Sequence, residues 1–120
     1  MASIEKQAAA LKEGQPIDNE TAKKRLVHRL DALSKQSGLN YNRVFVKNQK
    51  TRWGSCSAIN NINLNVNLVR LPEELIDYVI FHELVHTKIK NHSKLFWEEL
   101  SRYVIDPKRL DKKLRQYTLG

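Results

Sequence analysis

His82, Glu83 and His86 form an H-E-x-x-H motif, and His92 follows six residues beyond it. On a helix, positions i and i+4 lie on one face, a turn apart, so His82 and His86 can aim two imidazoles at one metal ion. Glu83 occupies the adjoining row, within reach of a water held by that ion. Zinc suits this set, because imidazole is a good ligand for it and it accepts tetrahedral coordination. Three protein ligands leave the fourth position to water, which is the catalytic pattern. A structural site would want a fourth protein ligand, usually Cys, and the single cysteine, Cys56, lies far off in sequence. A solitary histidine is more often an ordinary core or surface residue. Here the pair and the acid coincide on one helical pattern, and the expectation is one Zn2+ per chain.

The third ligand is a separate question. The step from His82 to His92 equals that of the metzincin pattern H-E-x-x-H-x-x-G-x-x-H, but Ile89 stands where that pattern has Gly. A downstream Met-turn is also missing, since the one methionine is Met1. Glu98 and Glu99, on the segment that follows, are rival ligands of the gluzincin type. His92 is preferred because His is the commonest metal ligand.

These residues need a helix to carry them. Pro72 with Glu73 and Glu74 makes a helix start, and Leu75, Ile76, Val79, Ile80 and Leu84 recur at helical spacing. Lys88 and Lys90 suit a last turn and Asn91 a left-handed end, which puts His92 just past the helix. Ser93 is a candidate N-cap for a helix bearing Leu95, Phe96, Trp97 and Leu100. A basic terminal helix begins at about Asp106.

Upstream, Ala2–Glu13 is helix-prone, and Gly14-Gln15-Pro16 breaks it. Asp18 or Asn19 can cap a helix striped with Leu26, Leu30 and Leu33 and closed by Gly38. Strands are expected at Arg43–Lys47 and Arg52–Ser57, joined by a tight turn. A third is expected from Ile62 to Leu68, where Ile62, Leu64, Val66 and Leu68 alternate with Asn61, Asn63, Asn65 and Asn67. Asn is a poor strand former, and the ordinary reading of this row is a solvent-facing surface. The alternative is that this strand or its neighbour borders a cleft and takes substrate as an added strand. Gly54 suits a bulge or close backbone approach, Cys56 a small buried residue, and Trp53 and Trp97 the core.

At 120 residues the chain is one domain, residues 1–120, with 1–17 peripheral or flexible. Its 41% hydrophobic and 28% charged residues match a soluble globular protein. No apolar run reaches membrane-spanning length and no signal-peptide core is present, so no membrane partner is expected. One cysteine excludes an internal disulfide, and the chain reads as cytoplasmic. The net charge is +8 and its excess is spread widely, with Lys23, Lys24, Arg25 and Arg29 in one helix and Lys108, Arg109, Lys112, Lys113 and Arg115 near the C-terminus. Solvated helix faces are the ordinary reading; contact with nucleic acid or an acidic protein is the sharper one. No aromatic residues interleave these runs as a single-strand platform would need.

Four stretches occur in order: Thr51-Arg52-Trp53-Gly54-Ser55-Cys56-Ser57, Ile62-Asn63-Leu64-Asn65, Ile76 to His86, and Asn91-His92-Ser93-Lys94-Leu95-Phe96-Trp97. Together they resemble the YgjP-like metallopeptidase domain, related to the SprT-like zincins, over about residues 48–103. The resemblance implies zinc ligands at His82, His86 and His92 and a catalytic base at Glu83. Members often carry a longer β-rich N-terminal region, whereas the segment before Tyr41 here reads as short and helical.

The expected fold is α+β and zincin-like: a sheet of about three strands, partly antiparallel, on an H-E-x-x-H helix with flanking N- and C-terminal helices. The expected function is zinc-dependent hydrolysis of a peptide or protein substrate, with Glu83 as general base toward a zinc-activated water. A further donor for the oxyanion is left open among a Tyr, His28 and an arginine such as Arg52. Two alternatives stand beside it. One is a DNA-associated protease of the SprT-like kind; the other is a zinc-binding module without turnover, acting through its basic surface.

Overall fold

The computed structural model describes residues 16–119. The helix expected over Ala2–Glu13, and its break at Gly14-Gln15, lie outside these residues.

Helix α1 spans Asn19–Ser37. Asp18 is its cap, and its carboxylate accepts from the Glu20 and Thr21 amides, satisfying donors that a helix start leaves open. Gly38 ends it in the left-handed region (φ 77°), where only glycine rests without a steric cost. Leu26, Leu30 and Leu33 form its buried stripe.

Three short strands follow: β1 (Val44–Lys47), β2 (Gly54–Cys56) and β3 (Ile62–Asn65). Their order is β1-β3-β2, with β1 parallel and β2 antiparallel to β3. β1 and β2 are therefore not joined as a tight hairpin; β3 lies between them. Val44 and Val46 turn toward the core while Phe45 and Lys47 face out.

β3 is shorter than its alternation suggests, for a physical reason. Asn65 is fully buried and bonds away from the ladder. Its Nδ2 donates to the carbonyls of Gln49 (2.8 Å) and Arg52 (2.7 Å), and its Oδ1 accepts from the Asn67 amide (3.0 Å). That last bond caps a 3-10 helix, Val66–Arg70, which takes over the rest of the expected strand. The asparagine row is thus no solvent face: Asn61, Asn63 and Asn67 are half-buried, and Asn65 pins the β1–β2 connection.

Helix α2 (Glu73–His86) is buried on almost every side, as expected of a central helix. α1 grips it through a two-bond ion pair from Arg29 to Asp77 (2.8 and 2.7 Å). α2 ends at His86, earlier than the charge pattern at Lys88 and Lys90 suggests. Helices α3 (Lys94–Ser101) and α4 (Pro107–Leu114) close the other side. The fold is α+β, with α1 and α2 both packed against the sheet and α3 and α4 against α2. Among the described residues no helix is long and apolar enough to cross a membrane.

Candidate metal centre

α2 supplies His82 and His86 one turn apart, and the chain reversal after it returns His92 to the same point. Thr87 ends the helix with its hydroxyl on the Leu84 carbonyl. Asn91 does not adopt the left-handed conformation expected of it. Its side-chain oxygen instead accepts from the Ser93 amide (3.2 Å), a local turn that brackets His92. Ser93 then occupies the N-cap position of α3 without a side-chain capping bond.

The three rings converge through their Nε2 atoms. His86 and His92 are 3.1 Å apart there, and His92 and His82 are 3.3 Å apart. Two nitrogens each about 2.0–2.1 Å from a tetrahedral zinc would be about 3.3–3.4 Å apart, so both spacings suit such an ion. The opposite nitrogens decide what Nε2 can do. His86 Nδ1 lies 2.9 Å from the Ile89 carbonyl, an acceptor only, so it carries the proton. His82 Nδ1 lies 3.0 Å from Glu83 Oε2 and donates to that carboxylate. Both rings therefore present an Nε2 lone pair to the shared point, the orientation that outer partners impose on metal-ligating histidines. Burial holds His86 below the ordinary imidazole value, against the opposing pull of the Ile89 carbonyl and Glu83, which favours the neutral ligand form.

Phe96 of α3 is the floor of this cluster. Fully buried, it stacks on His86 (centroids 4.5 Å apart, 29°) and meets His82 and His92 edge-on at 5.0 and 4.9 Å. In sequence it reads only as one more apolar residue of α3; its role shows once the three rings are in place.

The rival ligands point elsewhere. Glu99 is buried among Lys88 (3.3 Å), Arg102 (3.4 Å) and the Tyr103 hydroxyl (3.0 Å). Glu98 is exposed, with Lys94 at 3.9 Å. Among the described residues, His82, His86 and His92 form the group able to hold a metal ion.

A cavity of about 280 Å3 opens over these rings, walled by β2 and by Lys90. A second, of about 200 Å3, lies across Gly54, between Trp53 and Tyr78. Arg52, Gly54, His82 and Glu83 border both. Glu83 is buried, and its Oε1 has no protein partner among the described residues. Cys56 is half-buried in the wall of the first cavity rather than in the core, and burial raises its thiol above the ordinary value. Trp53 and Trp97 pack partly on the core, yet each also lines a concavity, Trp97 in one of about 570 Å3 beside His92. His28 is remote, lining a space of about 210 Å3 between α1 and the start of α2.

Comparison with known proteins agrees with this geometry. No curated protein matches the chain. The crystal structure of the metallopeptidase zymogen of Methanocaldococcus jannaschii jannalysin is similar at 28% identity and a TM-score of 0.66. It aligns over 76% of this chain and 94% of that one. That of Pyrococcus abyssi abylysin, also a metallopeptidase zymogen, shares the fold at a TM-score of 0.65 and 23% identity, over 79% and 99% of the two chains. The family model described as YgjP-like, metallopeptidase domain, matches residues 2–117, far beyond the four stretches that carry the resemblance and including the short N-terminal segment. The chain belongs to the YgjP-like metallopeptidase family.

Proposed function

We propose that this metallopeptidase holds one Zn2+ on His82, His86 and His92 and hydrolyses peptide bonds with Glu83 as general base. The observation that carries this reading is the convergence of three Nε2 atoms, two of them left as lone pairs by protons fixed on Nδ1. A bound Zn2+ would supply Lewis acidity, polarising a carbonyl and making water nucleophilic near neutral pH.

The chain's own residues do the rest. Glu83 lines the cavity and is held by His82 through Oε2, which leaves Oε1 for the water. It takes a proton from the attacking water as the new C–O bond forms. It then delivers that proton to the amide nitrogen as the C–N bond breaks. β2 lies at an edge of the sheet and walls the cavity, so an extended peptide can add to it by main-chain hydrogen bonds.

The basic runs lend little support to the nucleic-acid alternative. Arg25, Arg29, Arg109 and Arg115 pair with Glu73, Asp77, Glu74 and Asp111, and Lys108 lies over the Trp97 ring. Duplex DNA is accordingly expected to leave hydrolysis unchanged.

The test is zinc content and casein hydrolysis of the full chain beside two variants. Wild type should carry one zinc and cleave. His92→Ala should lose most of the metal. Glu83→Gln should keep it and lose turnover. Zinc retained by His92→Ala would remove His92 from the ligand set, and turnover by Glu83→Gln would remove Glu83 from the mechanism.

A further inference from the structure

The metal and Glu83 account for the nucleophile and the proton, but the carbonyl oxygen of the scissile bond also needs a donor as its charge grows. We propose that Arg52 is this donor. The inference rests on the reaction assigned above.

Arg52 is one of four residues bordering both cavities, with Gly54, His82 and Glu83. Its backbone is fixed from below. The buried Asn65 amide donates to the Arg52 carbonyl at 2.7 Å, and the Asn65 N–H donates to the Trp53 carbonyl at 3.0 Å. The guanidinium itself is uncommitted. Arg25, Arg29, Arg102, Arg109 and Arg115 each have a carboxylate within 4 Å. Arg52 has no such partner among the described residues. A cation anchored at its base, without a carboxylate partner among the described residues, and lining the same two cavities as Glu83 and His82, is ready for an anion that forms during the reaction.

Other donors near the site are already in use. The Tyr78 hydroxyl donates to Asp111 (3.0 Å) and that of Tyr103 to Glu99 (3.0 Å). The Lys90 ammonium donates to the Ser57 carbonyl and to Asn60 Oδ1, holding the loop that carries His92. His28 borders neither cavity. Lys90 spends two of its three N–H donors on that loop, whereas the Arg52 guanidinium keeps its whole planar fork, which can serve an oxygen without losing its own proton.

The experiment compares wild type, Arg52→Gln and Arg52→Lys as full-length, zinc-loaded protein, with zinc content and Tm measured on each. Casein hydrolysis should fall about 100-fold in kcat for Arg52→Gln, with KM within about threefold, and recover in part in Arg52→Lys. Affinity for a peptidyl phosphonamidate, whose tetrahedral anion imitates the charged carbonyl, should fall by a similar factor. Unchanged kcat and unchanged analogue affinity in Arg52→Gln would overturn the proposal. So would a loss confined to KM, which would make Arg52 an anchor for bound substrate. If zinc-loaded wild type cleaves no casein, the hydrolytic reading fails, while the analogue measurement still reports on Arg52. Arg52 is exposed, so both variants should keep the wild-type Tm and zinc content.

Discussion

Gly54 and Glu83 touch across the boundary between the sheet and α2. A Cβ on residue 54 would lie 3.2 Å from Glu83 Cγ, 3.2 Å from Val79 Cγ1 and 3.2 Å from the Asn63 carbonyl oxygen. The edge strand thus rests directly on the acid, and this contact helps to set where the carboxylate points. Gly54 has ordinary backbone angles, so its requirement is for space rather than conformation.

Gly54→Ala therefore tests the placement of Glu83. One of the three neighbours is the β3 carbonyl of Asn63, which cannot swing away, so the added methyl must push β2 off β3 by a few tenths of an ångström and press on the Glu83 side chain. We expect a stability loss of about 1–3 kcal/mol, typical of overpacking, and at least a tenfold fall in kcat. Zinc content should stay at the wild-type level, because the three nearest atoms to the new group belong to Asn63, Glu83 and Val79 and not to a ligand. Wild-type kcat in Gly54→Ala would show that Glu83 does not depend on this contact.

The Phe96 ring is the second target. Phe96→Ala removes the floor beneath three imidazoles and should cost about 3–5 kcal/mol, as for other buried aromatics. Phe96→Leu keeps most of the volume but not the flat face. It should fold and bind zinc several-fold more weakly in competition with a chelator. Equal zinc affinity in Phe96→Leu would mean that the ring packs the core without orienting the ligands.

Asn65 connects the sheet to the rim of the cleft. Asn65→Leu is close in volume but leaves the Gln49 and Arg52 carbonyls and the Asn67 amide without their partner. Unpaired groups of this kind make a loss of about 2–4 kcal/mol the expectation. Urea unfolding measures it, and a change under about 0.5 kcal/mol would show that water replaces the amide at little cost.

Asn65 also shows where sequence reasoning stops. Local signals were legible: the Asp18 cap, the Gly38 terminus, the leucine stripe of α1, and the H-E-x-x-H helix with His92 beyond it all lie where residue type and spacing place them. Asn65 reads as one more member of an alternating strand, because its partners are carbonyls 13 and 16 residues away. The strand order failed for the same reason, since pairing of β1 with β3 is non-local. At the end of α2 the lysines fit a continuing helix. Other bonds prevail instead: the Ile89 carbonyl turns back locally to His86, and Lys90 is drawn to the distant Ser57 and Asn60.

Glu99 separates the two readings of the third ligand and adds a pH signature. Burial alone would raise its pKa, but the Tyr103 and Lys88 hydrogen bonds, with the Lys88 and Arg102 charges, outweigh it and hold the carboxyl below the ordinary value of 4.5. A depressed folded pKa means that the unfolded chain binds the proton more readily. The stabilisation is therefore complete above about pH 4.5 and is lost as pH falls through the lower folded value. Glu99→Gln should carry a full complement of zinc at neutral pH, yet melt at a lower temperature than wild type. The gap in Tm should narrow as pH drops below about 4.5, because wild type then loses the charge that the variant never had. Loss of zinc from Glu99→Gln would return this residue to the ligand set. A gap independent of pH would show that the carboxylate's charge, as opposed to its shape, contributes nothing.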